Sequence, residues 1–119
     1  MRMNDFIGDV TVRTLSQAMS GLAARQRTIS DNLANVDTPG FLAGKVDFEA
    51  SLRQALADGE DPRLTEIATA RSLEPTRANG SNVNLDEETL AGQETVLHTQ
   101  LIAQALTNKF NGIKNAIGQ

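Results

Sequence analysis

The stretch Asn32-Leu33-Ala34-Asn35-Val36-Asp37-Thr38-Pro39-Gly40-Phe41 decides how this chain is read, because it ends a helix and turns the backbone. Thr38 precedes Pro39, whose ring disfavours helical geometry at the residue before it, and Gly40 can supply a positive φ. Asp37-Thr38-Pro39-Gly40 is therefore a turn with a mechanism, and the helix should stop near Asn35. Asn32, Asn35 and Asp37 are expected to tie the helix end and the turn to neighbouring backbone by hydrogen bonds. The local alternative is ordinary capping, since Asn and Asp often bond their own backbone. Phe41 then re-enters an apolar environment, which Phe48 joins.

Upstream of the turn, Val12, Leu15, Met19, Leu22, Gln26, Ile29 and Leu33 alternate spacings of three and four, an a/d seam wound for a partner helix. Gly21 weakens that helix by about 1 kcal/mol relative to Ala but permits close approach of a neighbour. Gln26 is the one polar seam residue. It either fixes register or partner at a cost in stability, or sits at a partly wet edge.

The C-terminal helix has its own start signal. Asn84 is placed as N-cap, Asp86 and Glu87 offset the helix dipole in the first turn, and Val83 staples onto the turns that follow. Leu97, Leu101 and Ala105 form one stripe; Ile102, Leu106, Phe110, Ile113 and Ile117 form another. The second runs four, four, three, four, so the apolar face is widened to meet more than one neighbour. Lys109 and Lys114 match the negative end of the dipole.

Between the helices, Asp47 is expected to cap a short helix that carries Phe48, Leu52, Ala55 and Leu56 on one face and ends at Gly59. From Glu60 to Ser81, Asp61-Pro62, Glu74-Pro75 and Asn79-Gly80-Ser81 interrupt the pattern, giving loop or extended chain with a short strand over Ile67–Leu73. Gly40 and Gly44 read as flanks of a turn. The chain thus reads as one unit over residues 1–119: a helix over 9–35, a turn, short helix and extended loop over 36–83, and a helix over 84–117. The fold class is mainly α, with long terminal helices packed as a coiled-coil-like pair around a turn-rich, partly extended middle. The interface candidates are Leu15, Met19, Leu22, Gln26, Ile29, Leu33, Leu97, Leu101, Ile102, Leu106, Phe110, Ile113 and Ile117.

Composition excludes much else. Only 3% of residues are aromatic, so the interior relies on aliphatic side chains, which suits thin helix seams. A net charge of −4 argues against nucleic acid and against an anionic membrane surface. There is no cysteine, hence no disulfide, thiolate site or thiol nucleophile. His98, with Glu94 one turn before it, lacks the further ligands a metal needs and reads as a partly exposed helix position. Glu87-Glu88 belongs to a helix start, with no apolar pocket to raise a pKa. No glycine-rich loop follows a strand and opens a helix. Neither an enzyme nor a cofactor is expected. Residues 1–9 lack the long apolar core of a secretory signal, so the chain either stays in the cytoplasm or leaves by a route without a cleavable signal.

The run Leu22-Ala23-Ala24-Arg25-Gln26-Arg27-Thr28-Ile29-Ser30-Asp31, continuing through Asn32–Phe41, resembles the N-terminal signature of bacterial flagellar rod and hook proteins. Arg25-Gln26 before the Asn-rich segment and Asp47-Phe48 after it look most like the proximal rod members. So do Gly80-Ser81-Asn82-Val83-Asn84-Leu85-Asp86-Glu87-Glu88 and Leu106-Thr107-Asn108-Lys109-Phe110-Asn111-Gly112-Ile113-Lys114-Asn115-Ala116-Ile117. One departure is Thr99, where related chains usually carry an aromatic. The short middle makes a separate outer β-domain unexpected.

The resemblance implies a structural subunit of the basal-body rod, in which Asn32, Asn35, Asp37, Thr38, Pro39, Gly40 and Phe41 form the family turn. It also implies export through the flagellar type III apparatus without cleavage, with Phe6 and Ile7 near an apolar export signal, and assembly in the periplasm. The implied partners are the rod proteins FlgC, FlgF and FlgG, the adapter FliE, further copies of the chain itself, the export apparatus and the membrane ring. The rod transmits torque as a drive shaft. Isolated helices gain little without packing, so the termini are expected to be largely disordered in the monomer and to fold on assembly. The alternative from another class is a small soluble helical adapter, or an export chaperone, that binds one partner helix in a groove.

Overall fold

The computed structural model describes residues 3–118, with side chains from residue 8 onward. The long helices are α1 (Met3–Ala34) and α3 (Leu85–Ile117). Between them lie strand β1 (Gly44–Val46), helix α2 (Glu49–Ala57), a 3₁₀ turn at Pro62–Leu64 and strand β2 (Thr69–Arg71). As the periodicity predicts, the fold is mainly helical. α1 packs chiefly on α3, and the pair runs antiparallel: Gly8 lies against Lys109 and Gly92 against Ile29. The resulting hairpin is a slab of 64 × 27 × 14 Å.

α1 starts at Met3, earlier than the expected residue 9. Gly8 does not interrupt the helix. Its missing side chain leaves room for the Lys109 stem, whose Cε would lie 3.5 Å from a Cβ at this position. The side chains of Phe6 and Ile7 lie outside the described ones. α3 begins where its cap predicts, the Glu87 N–H donating to Asn84 Oδ1 at 3.1 Å.

The inner face of α3 differs from the predicted stripes. The positions against α1 are Gly92, Thr95, Thr99, Ile102, Leu106 and Lys109, again alternating three and four, with Thr95 buried and the others half-buried. Small and β-branched polar residues bring the two backbones close. Their hydroxyls are neutralised inside the helix: Thr95 donates to Ala91 O and Thr99 to Thr95 O, both at 2.7 Å. On α1 the predicted seam points inward, with Leu22 and Ile29 buried and Leu15, Met19, Gln26 and Leu33 half-buried. Gln26 Oε1 is buried with no hydrogen-bond partner among the described residues.

The middle corrects two expectations. Asp47 does not cap α2; Phe48 holds the cap position, makes no side-chain cap bond and accepts the Leu52 N–H at 2.9 Å. The reason is that Phe48 is drawn into the core, which moves the cap one residue past Asp47. The strand expected over residues 67–73 is β2, and its antiparallel partner β1 was not anticipated; Gly44 pairs with Arg71 and Val46 with Thr69. The "loop" also contains a 3₁₀ turn, capped by Asp61 Oδ1 accepting the Arg63 N–H at 3.0 Å.

The core is small: Leu22, Val46, Phe48 and Leu52, with Ala18, Ile67 and Ile102 against it. Phe48 sits in a notch in α1 made by Gly21, where an added Cβ would fall 2.5 Å from the ring. Two opposed effects are thereby separable. Gly21→Ala gains about 1 kcal/mol of helix propensity. It also overpacks the Phe48 notch, at a cost of about 1–3 kcal/mol. Gly112, with nothing within 4 Å of an added Cβ, carries only the first effect. In urea or thermal denaturation followed by circular dichroism, Gly112→Ala is expected to raise the midpoint and Gly21→Ala to lower it. A rise with both would mean that Phe48 does not occupy the notch.

Candidate functional site

The turn after α1 and the segment before α3, far apart in sequence, meet in one hydrogen-bonded hub. Its centre is Asn32, 1% exposed. The Asn32 Nδ2 group donates to Gly44 O at 2.9 Å and to Glu88 Oε2 at 3.0 Å, while the Gly44 N–H donates to Asn32 Oδ1 at 2.8 Å. One carboxamide thus joins α1, β1 and α3, filling both faces of its hydrogen-bonding capacity.

Asn82 repeats the device one layer on. The Ala43 N–H donates to its Oδ1 at 2.7 Å, and its Nδ2 donates to Ser72 O and Glu74 O, both at 3.1 Å. Ser81, fully buried, receives the Arg77 N–H on its carbonyl at 2.7 Å, and the Arg77 guanidinium also donates to Val36 O. Gly40 and Gly80 stack back to back. Both have positive φ, 74° and 82°, and a Cβ on Gly80 would lie 3.2 Å from Gly40 Cα. The Gly40 N–H donates to Asn79 O at 2.9 Å.

The rest of the predicted turn motif is peripheral. Asn35 bonds its own helix end, donating from Nδ2 to Asp31 O at 2.8 Å and accepting from Thr38 Oγ1 at 3.0 Å. Asp37, Thr38 and Pro39 are exposed and Phe41 is half-buried, with the Arg71 guanidinium 5.4 Å from its ring centre. Gly44 is more than a turn flank. It belongs to β1, and both its backbone groups are bonded to Asn32. Asn82, Ser81 and Arg77 were not singled out as site residues; the Gly80–Glu88 run contained two of them, but nothing local showed that they reach back to the first turn.

A second anchor is Arg25. Its guanidinium donates to Val46 O at 3.0 and 2.7 Å, pairs with Glu49 at 2.5 Å and covers the Phe48 ring at 4.9 Å. The hydrogen bond from Arg25 holds the Glu49 carboxyl below its ordinary pKa, against the opposing pull of partial burial.

Outside the hub, several large apolar side chains meet solvent among polar ones. On α3, Leu97, Leu101, Phe110, Ile113 and Ile117 are 55, 59, 54, 42 and 80% exposed. Ile102 and Leu106 are half-buried against α1. Between α1, α2 and α3 lies an apolar groove of about 370 Å³ lined by Leu22, Phe48, Leu52, Leu56, Leu101 and Ile102, with exposed His98 at its edge. Among the described residues no group of three or more His, Asp or Glu could hold a metal, and no helix is long and apolar enough to cross a membrane.

The family described as "Flagella basal body rod protein" matches residues 12–41, the α1 seam and its turn. Curated relatives extend the likeness over most of the chain. The flagellar basal body rod protein FlgB of Borrelia hermsii is 30% identical over 89% of this chain and 90% of its own length. The chain belongs to the FlgB family. The FlgB proteins of Bacillus subtilis, 29% identical over 90% of this chain, and Escherichia coli (strain K12), 28% identical over 92%, cover 92% and 94% of their own lengths. In this FlgB-family chain the short matching stretch carries Asn32, so the residue that joins three elements lies inside it.

Removing Asn32 strands a buried N–H and C=O on Gly44, each costing about 1–3 kcal/mol when unsatisfied. Asn32→Ala is therefore expected to lower the unfolding free energy by at least ~2 kcal/mol. Asn35→Ala, at an exposed helix end, should cost under ~1 kcal/mol. Equal losses in denaturant titrations would refute the hub. For the Arg25–Glu49 pair the sign is set by a lowered carboxylate pKa. Its stabilisation is present above the ordinary Glu value of 4.5 and fades as pH falls through the lowered one. Glu49→Gln should flatten that part of the stability–pH curve, by under ~1 kcal/mol because the pair is half-exposed.

Proposed function

We propose that this chain is a structural subunit of the flagellar basal-body rod, held in place by helix packing with copies of itself and with other rod proteins. The observation that carries the reading is the division of its apolar residues. The α1 seam is used inside the hairpin, whereas five large apolar side chains of α3 stay exposed: Leu97 and Leu101 on its outer side, and Phe110, Ile113 and Ile117 where the inner face runs on toward the helix end. Large apolar side chains exposed in two such groups mark protein–protein contact. The family supports the setting.

On this reading the partners are FlgC, FlgF, FlgG and the adapter FliE. The subunit leaves the cytoplasm through the flagellar export apparatus without cleavage, and it works in the periplasm as part of the torque-transmitting shaft. Leu97, Leu101, Phe110, Ile113 and Ile117 carry the intersubunit contacts, while Leu22 and Ile29 act indirectly by holding α1 on α3. With so small a core, the isolated monomer is marginal, and assembly supplies the packing that keeps the helices formed.

Substitutions on the two faces test this. In cells relying on the variant as their only copy, Leu101→Asp and Phe110→Asp are expected to abolish swimming and rod completion while leaving the purified chain's helix content unchanged. Leu22→Asp is expected to lose both. Swimming cells with Leu101→Asp and Phe110→Asp combined would sink the interface assignment. A stable monomer that binds a single partner helix in saturable one-to-one fashion, with no part in the rod, would favour the adapter instead.

A further inference from the structure

The apolar groove and the C-terminal end of α3 are complementary. The groove walls are Leu22 on α1, Phe48, Leu52 and Leu56 on and beside α2, and Leu101 and Ile102 on α3. Its volume of about 370 Å³ exceeds by far the ~30 Å³ share of one water, so it has room for apolar side chains. The end of α3 presents Phe110, Ile113 and Ile117 at spacings of three and four, on one face and all substantially exposed.

Charge separates the two ends of α3. Asp86, Glu87, Glu88 and Glu94 lie in its first half, and beyond Glu94 its acidic and basic side chains are Lys109 and Lys114 alone. Two hairpins arranged head to tail therefore bring a basic tip to an acidic half, whereas two tips together repel.

We infer that the groove is the socket for a second copy of this chain, which inserts Ile113 and Ile117 from the end of its α3 and brings Lys114 toward Glu94, one turn from His98 at the groove's edge. The inference rests on the rod-subunit reading and specifies its self-contact. Socket and plug are different surfaces, so the contact is heterologous and arranges copies in a ring or an open helical series instead of a two-fold dimer. That geometry suits a shaft.

The absence of cysteine makes the contact directly testable. Two differently tagged copies, one Ile117→Cys and one Arg53→Cys, would be co-expressed in cells lacking the native chain, and basal bodies purified after mild oxidation. Arg53 lines the groove and is exposed, so the substitution leaves the apolar walls intact. The Ile117→Cys and Arg53→Cys copies are expected to cross-link at least about tenfold more than Ile117→Cys with Leu73→Cys, a position 96% exposed in the middle segment.

Equal yields for the two pairs would overturn the socket. So would dominant cross-linking of Ile117→Cys to Leu90→Cys, the signature of antiparallel α3 pairing, or to a different rod protein. If the cells swim and the tagged chains are in the basal body without the cross-link, only the socket is wrong. If the chains are missing from basal bodies of swimming cells, the rod-subunit reading fails with it.

Discussion

A single buried carboxamide holds this fold in register. Asn32 ends α1, and from there it bonds both backbone groups of Gly44 and a carboxylate oxygen of Glu88, so that helix, strand and returning helix share one fixed point. A buried polar group is tolerable only when fully satisfied, and a satisfied one is specific because no other arrangement completes it. An α1–α3 pair held by aliphatic contact alone could slide by a turn at little cost. With Asn32 engaged, a slide would strand the Gly44 groups in the interior.

The hub also explains the asymmetry of the two helical faces. Because α1 and α3 are aligned through polar bonds at one end, their seam can be lined by Gly92, Thr95 and Thr99, which bring the backbones together without much apolar bulk. Leu97 and Leu101 are thereby left exposed on the far side of α3. Arg25 completes the division by tying the Phe48–Leu52 platform to α1, leaving a groove beside α3 instead of a filled core. What the chain loses in self-sufficiency it gains in surface available to neighbours, the arrangement a subunit of an assembly requires.

Much of the site was legible where the signal was local. Asn84 with its following acids, the Thr38-Pro39-Gly40 turn and the α1 seam each depend on neighbours within one or two turns, and each lies where it was expected. What escaped was long-range. The face of α3 was assigned by following its largest apolar residues, but the inner seam continues past Ile102 and Leu106 into Gly92, Thr95 and Thr99, and only packing against α1 shows that Thr95 is buried. Asp47 has the chemistry of an N-cap, yet the burial of Phe48 beside Gly21 outweighed it. β1 is too short to have a pattern, and its partner is distant in sequence.

The amino-acid sequence by itself determined the two helices and where the first ends and the second begins. These follow from periodicity, capping and backbone restriction, which act over a few residues. Tertiary structure alone decided which side of α3 faces inward, that Asn32 and Asn82 close one hub, and that a groove opens beside Leu101. The reason is physical: an apolar stripe has the same periodicity whether it faces its own chain or a neighbour. Only the competition among α1, Phe48 and the hub for the same space selects between them.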